Sequence, residues 1–255
     1  MIRTDKLTMR FGGLVALDEV SLEVRPDELF SIIGPNGSGK STLFNVITGI
    51  YTPTGGEVYL QNHSVTGFSS TKLSHLGIAR TFQNPHLFES MTVFENVLIS
   101  SLVRSKVSLL AEIFVAKKAQ LLIQNAEPLA HRALKLVDLD HKAQVPATML
   151  SYGDQKRLEI ARGLAAEPKV LLLDEPVAGL NPDERTSIKE LIVGLHKKGL
   201  PIMLIEHDMH MVMGISDRVM VLDYGRCIAM GPPQEVAKDP KVITAYLGVE
   251  EDAVL

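Results

Sequence analysis

The sequence predicts an α/β fold built on a mainly parallel core sheet, and three observations carry that prediction. Apolar stretches of strand length alternate with helical stretches through most of the chain. A nine-residue glycine-rich segment, GPNGSGKST at Gly34–Thr42, joins one such strand to a helix. Two later strands run directly into polar groups, at Asp174-Glu175 and at Glu206-His207-Asp208.

The elements follow in order. Residues 1 to about 30 and 55 to 65 carry short β-like segments with turn signals such as Pro53-Thr54-Gly55-Gly56, which suggest a small sheet flanking the core. The run Leu29-Phe30-Ser31-Ile32-Ile33 reads as a buried strand, and Leu43-Phe44-Asn45-Val46-Ile47 as the body of a helix. A glycine-rich turn between the two is the setting of a P-loop. Gly34, Gly37 and Gly39 let the backbone turn tightly and bring N–H groups against phosphate oxygens, at the positive end of the helix that follows. Lys40 supplies a mobile charge for β- and γ-phosphates, and the Ser41 hydroxyl suits a Mg²⁺ ligand.

From about 88 to 145 the sequence turns helical, with Leu109, Leu110, Ile113, Phe114, Leu121 and Leu122 interleaved with Lys117 and Lys118. We read this as an inserted helical subdomain whose apolar stripe is core. Two β-α units follow. Val170-Leu171-Leu172-Leu173 runs into Asp174-Glu175-Pro176, and Ile202-Met203-Leu204-Ile205 into Glu206-His207-Asp208. Between them lies a helix with Asn181 as N-cap, Pro182 at N1, Glu184 at N3, apolar Ile188, Leu191, Ile192 and Leu195, and a Lys197-Lys198-Gly199 stop. Such alternation predicts a parallel sheet covered on both faces, with ligands at the carboxyl ends of its strands.

That placement suggests roles. A carboxylate after an apolar strand is costly to bury without a cation, so Asp174 is expected in the Mg²⁺ shell. Glu175 would face the γ-phosphate and orient or deprotonate the attacking water. His207 can donate a hydrogen bond to the γ-phosphate. A second anion site is expected at Leu150-Ser151-Tyr152-Gly153-Asp154-Gln155, where a serine hydroxyl and a permissive glycine precede the helical run Lys156–Arg162. One nucleotide needs only one P-loop, so this second site is read as serving a nucleotide held by another subunit.

Composition sets limits. At 255 residues and 45% hydrophobic, the chain can bury a good core as one large domain or two small subdomains. A net charge of −4 argues against a general nucleic-acid binder. A single cysteine, Cys227, excludes an internal disulfide framework and fits a reducing compartment. The N-terminus lacks the apolar core of a signal peptide, and no apolar run approaches membrane-spanning length. A cytoplasmic chain is therefore expected, any membrane role coming through a partner.

The order of these motifs resembles the nucleotide-binding subunit of ABC transporters over essentially the whole chain. The resemblance implies an ABC ATPase fold with a flanking antiparallel β subdomain and an inserted helical subdomain. It divides a single domain 1–255 into a RecA-like core with β subdomain (about 1–87 and 160–231), a helical subdomain with the signature (about 88–159) and a C-terminal tail (about 232–255). It also implies ATP and Mg²⁺ as cofactors, and a head-to-tail dimer with two ATP molecules between one subunit's Walker A and the other's signature.

By that match Gly34, Pro35, Asn36, Gly37, Ser38, Gly39, Lys40, Ser41 and Thr42 form Walker A, and Leu150–Gln155 the signature, with Ser151 and Gly153 on the partner's nucleotide. Asp174 is the Walker B aspartate, Glu175 the catalytic glutamate and His207 the switch histidine. Gln83, in Arg80-Thr81-Phe82-Gln83-Asn84-Pro85, matches the glutamine that contacts Mg²⁺ and the attacking water and links to the membrane subunits. Phe11 sits where the family stacks an aromatic ring on adenine. The implied partners are transmembrane permease subunits, a second ATPase that is either the same chain or a related one, and indirectly a solute-binding protein, with no nucleic acid. The implied location is the cytoplasmic face of the inner membrane.

Arg80-Thr81-Phe82-Gln83, the variant Leu150-Ser151-Tyr152-Gly153, Leu158–Gly163, Ile205–Met209 and Ala245-Tyr246-Leu247-Gly248 resemble the ATPases of branched-chain amino-acid importers. Importers of urea or short amides share much of this text. ABC-type ATPases acting on DNA or ribosomes carry a long coiled-coil insertion or two tandem cassettes, and this chain has neither; nor has it an Asn-Lys-x-Asp guanine-reading segment. Three residues depart from the family pattern. Asp154 replaces a glutamine and stands either near the partner's nucleotide or outward as a first-turn charge. Asn181 replaces the common aspartate of the loop Ala178–Asn181. Asp27 occupies a turn usually held by glycine.

Overall fold

The computed structural model describes residues 1–83, 86–102 and 116–247. Leu109, Leu110, Ile113 and Phe114 of the expected helical stripe lie outside these, as do Asn84, Pro85 and the tail from Gly248. The chain divides into two compact units. One is Met1–Ser70 with the chain from His196 onward, and the other is Thr71–Leu195.

In chain order the first unit opens with β1 (Ile2–Phe11), β2 (Leu14–Val24), β3 (Leu29–Ile33), α1 (Lys40–Ile47), β4 (Gly55–Leu60) and β5 (His63–Ser64), and α2 (Ser70–Leu76) begins at its boundary. The second unit then contributes β6 (Ile78–Arg80), α3 (Val93–Leu102), α4 (Ala116–Leu136), α5 (Tyr152–Ala165), β7 (Val170–Asp174) and α6 (Pro182–Lys197). The chain returns to the first unit with β8 (Ile202–Ile205), α7 (Met209–Ile215), β9 (Arg218–Asp223), β10 (Arg226–Gly231), α8 (Pro233–Val236) and α9 (Pro240–Leu247).

The first unit holds an antiparallel sheet in the order β2-β1-β4-β5. Its first two strands are longer than the short segments expected, because register shifts absorb irregular spots such as Lys6 and Glu19, both at positive φ. Its other strands run β10-β9-β3-β8, with β3 parallel to both neighbours. All five residues of β3 and all four of β8 are buried, which is why both read as unbroken apolar runs. The parallel pairing brings Gly34, after β3, and Glu206-His207, after β8, to the same carboxyl edge. Beneath it Ile33 packs with Val212 of α7, Val219 and Val221 of β9, Val236 of α8 and Val242 of α9.

In the second unit β6 and β7 pair in parallel, with Arg80 opposite Leu172, so Thr81–Gln83 and Asp174-Glu175 leave the same edge. The face of α4 that packs is Ala126, Ala130, Ala133 and Leu134, whereas Leu121 is exposed and Leu122 half-buried. The stripe read from its first turns is thus corrected: the buried face, of mainly small residues at helical spacing, lies further along the helix. The helix after β7 is bounded as expected. Glu184 N–H donates to Asn181 Oδ1 at 2.9 Å, Asn181 N–H to Glu184 Oε2 at 3.1 Å, and Gly199 closes the end at φ 84°. No described helix is long and apolar enough to cross a membrane.

Candidate functional site

The phosphate loop of the first unit is shaped by steric necessity. Gly34 has φ 150°, and a Cβ there would lie 2.0 Å from the Leu222 carbonyl oxygen of β9. Gly39, at φ 104°, is the N-cap of α1, and a Cβ would lie 2.5 Å from the Ala16 oxygen of β2. The loop is therefore wedged between two strands where only glycine fits, and the first-turn amides of α1 follow a residue with no side chain to cap them. Lys40 is nearly buried, and its ammonium donates to the Gly34 and Pro35 carbonyls, each at 2.8 Å. Ser41 is exposed and Thr42 half-buried.

Phe11 ends β1 with 41% of its surface exposed and meets Tyr51 edge to face at 5.3 Å. That exposure suits a platform for a planar base better than a core residue. His207 follows β8 with an exposed side chain, and its backbone N–H donates to the carboxylate of the fully buried Glu206 at 3.2 Å. Asp208 fixes the start of α7 by accepting from Met211 N–H at 3.0 Å. Burial pushes the Tyr246 hydroxyl of α9 up to about 12, against a hydrogen bond with the Gly34 backbone. The C-terminal helix thus touches the loop, a link that no local sequence signal announces.

The second unit brings Gln83 and Glu175 together: Gln83 Nε2 donates to Glu175 Oε2 at 2.6 Å. Glu175 is in the left-handed region, at φ 47°. The cation that a buried carboxylate calls for is found within the fold, since Arg80 Nη2 lies 2.7 Å from Asp174 Oδ2 with both side chains 8% exposed. Asp174 N–H also donates to Thr81 Oγ1 at 3.3 Å.

Two buried groups of α5 had no role in the sequence reading. Lys156 is 1% exposed; its ammonium donates to the Gln83 carbonyl and, at 3.4 Å, to that of Glu175. Glu159 accepts from Phe82 N–H at 2.7 Å. Burial raises its carboxyl to about 7, against the pull of that N–H, Lys156 and Arg162. The only sequence signal for either was a charge pair at helical i, i+3 spacing, which usually marks a solvated face.

At the signature, Ser151 is the N-cap of α5 and accepts from Asp154 N–H at 3.2 Å. Gly153 is buried where a Cβ would come 2.7 Å from Glu184 Oε1, so glycine there keeps the Asn181–Glu184 cap intact. Asp154 is paired within the unit, Lys142 Nζ lying 2.5 Å from its Oδ2. Asn181 stands where its side chain caps a helix as well as aspartate does. Asp27 adopts φ 55°, the conformation that makes glycine common in that turn.

Residues 17–178 match the sequence profile described as ABC transporter, and residues 226–252 that of a branched-chain amino acid ATP-binding cassette transporter. The chain is 44% identical to the high-affinity branched-chain amino acid transport ATP-binding protein LivG of Salmonella typhimurium, over 97% of this chain and 98% of that protein. It is similar to the crystal structure of the ADP conformation of MJ1267, an ATP-binding cassette of an ABC transporter (TM-score 0.85, 37% identity, 97% of this chain and 98% of that one). It is also similar to the dimeric post-hydrolysis cassette MJ0796 bound to ADP and Pi (TM-score 0.75, 27% identity, 91% of this chain and 99% of that one). With the loop, the carboxylates and the signature in this order, the chain belongs to the ABC transporter family of ATP-binding proteins.

Proposed function

We propose that this chain is the ATP-hydrolysing subunit of an importer for branched-chain amino acids, working as a dimer on the cytoplasmic face of the membrane against permease subunits. The observation that carries the solute class is the near full-length similarity to LivG, joined by the branched-chain match over residues 226–252. Urea or short amides remain the second reading, on the shared sequence motifs quoted above.

The chemistry follows from the side chains. Lys40, held on the Gly34 and Pro35 carbonyls, exchanges these for β- and γ-phosphate oxygens of ATP, while amides of the loop and of the first turn of α1 take the remaining phosphate charge. Phe11 stacks on the base. Ser41, Gln83 and Asp174 each carry an oxygen of the kind that Mg²⁺ takes, from a hydroxyl, an amide and a carboxylate. The bound ion would neutralise phosphate charge during transfer. Glu175 orients the attacking water and draws its proton, with Gln83 fixing the carboxylate through its amide N–H. His207 reads the γ-phosphate. Ser151 and Gly153 serve the nucleotide of the partner subunit, where the pairing of Asp154 with Lys142 keeps the carboxylate's charge compensated.

The test is uptake in the source organism lacking this gene. Loss of radiolabelled leucine, isoleucine and valine uptake, restored by the chain and not by its Glu175→Gln variant, is the expected result. Normal uptake of all three with loss of urea or amide uptake would overturn the solute assignment.

A further inference from the structure

We propose that Lys156 is a positioning residue for ATP hydrolysis, holding from the signature helix the backbone on which Gln83 and Glu175 are mounted. An ammonium in the middle of a helix belongs in solvent, and burying it is costly unless its donors are met. Lys156 is almost fully buried, and its contacts explain that placement. It donates to the carbonyls of Gln83 and Glu175, two residues that lie 92 positions apart in the chain and whose side chains bond each other at 2.6 Å. One cation therefore ties both ends of the pair at the main chain, where a side-chain rotamer change cannot loosen it.

The same helix grips the Gln83 segment a second time. Glu159 accepts the Phe82 N–H at 2.7 Å, so the Phe82-Gln83 segment is held at its leading donor by a carboxyl group and at its trailing acceptor by an ammonium. Glu175 needs such support, because a non-glycine residue at φ 47° persists only where its surroundings fix it. Its carbonyl accepts from Ala178 N–H at 3.2 Å besides Lys156. Since Ser151 caps α5, a displacement of the signature is carried along one rigid helix to the hydrolytic carboxylate, all within the second unit.

This inference rests on reading Glu175 as the hydrolytic carboxylate, and the experiment separates the two. Full-length Lys156→Met, Lys156→Gln, Lys156→Arg, Gln83→Ala, Glu175→Gln and the Lys156→Met/Gln83→Ala double variant are compared in kcat and KM for Mg-ATP. A fluorescent ATP analogue reports nucleotide affinity, and thermal melting reports the fold. We expect Lys156→Met to lower kcat on the order of 10- to 100-fold, the scale of a small misplacement of reacting groups, with analogue affinity within about twofold of the parent. Lys156→Arg regains most of that loss, and the double variant is no slower than Gln83→Ala by more than about twofold, because both changes act on one geometry.

A folded Lys156→Met or Lys156→Gln chain with parental kcat overturns the proposal. So does a loss shared equally between kcat and affinity, or one fully additive with Gln83→Ala. Failure of both neutral variants to fold would assign Lys156 to stability alone and overturn it equally. Parental hydrolysis by Glu175→Gln would instead sink the reading on which the proposal rests.

Discussion

Glu159 makes the stability of this protein depend on pH in a direction opposite to most carboxylates, and the size follows from its burial. The folded chain keeps the Glu159 proton up to about 7, whereas an ordinary glutamate releases it at 4.5. Between those values the unfolded state binds fewer protons. The contribution of Glu159 is therefore fully present below about 4.5 and is lost as pH rises through about 7. The difference of roughly 2.5 pH units corresponds to about 3 kcal/mol at about 1.36 kcal/mol per unit. Glu159→Gln keeps an acceptor for the Phe82 N–H and does not titrate. Urea unfolding of parent and variant across this range should show the variant gaining about 3 kcal/mol on the parent, or roughly 6–12 °C in melting temperature for a chain of this size. Parallel stability curves, with a difference independent of pH, would refute the argument that the carboxyl is buried and protonated near neutrality.

Further outcomes follow from individual contacts. Asn181→Ala removes the N-cap of α6 and should cost about 1 kcal/mol, read by urea unfolding. Arg80→Met leaves Asp174 buried without its guanidinium and should destabilise the nucleotide-free chain by about 3–5 kcal/mol, part of which added Mg²⁺ restores in a melting experiment. Gly34→Ala places a methyl group against the Leu222 carbonyl and should abolish nucleotide binding in equilibrium titration, whereas Gly37→Ala meets no atom and should bind more weakly without losing the site.

The strands and the loop could be read from sequence because burial on both faces demands apolar runs, as in β3 and β8, and because only glycine satisfies the φ and contacts found at Gly34 and Gly39. Capping chemistry is equally local, so the Asn181–Glu184 exchange was visible in the spacing alone. The pairings that organise the carboxylates were not. Arg80 reaches Asp174 across 94 residues and Lys156 reaches Gln83 across 73, and nothing in a stretch such as Lys156–Arg162 marks which charge points inward. Lys142 and Asp154, 12 residues apart, were likewise missed because the segment between them is irregular and has no periodicity to align them. Long-range ion pairs carry no local signature, whereas turn geometry and helix caps do.

Under the proposed function, hydrolysis is completed at a dimer formed around ATP, and Glu175 helps to cleave the γ-phosphate that holds it closed. Sedimentation of Glu175→Gln with Mg-ATP, against the same variant without nucleotide, tests this most directly. An ATP-dependent dimer that falls apart when nucleotide is withdrawn is the expected result. A nucleotide-bound monomer at all concentrations would contradict self-pairing and point to a second, different ATPase chain as the working partner.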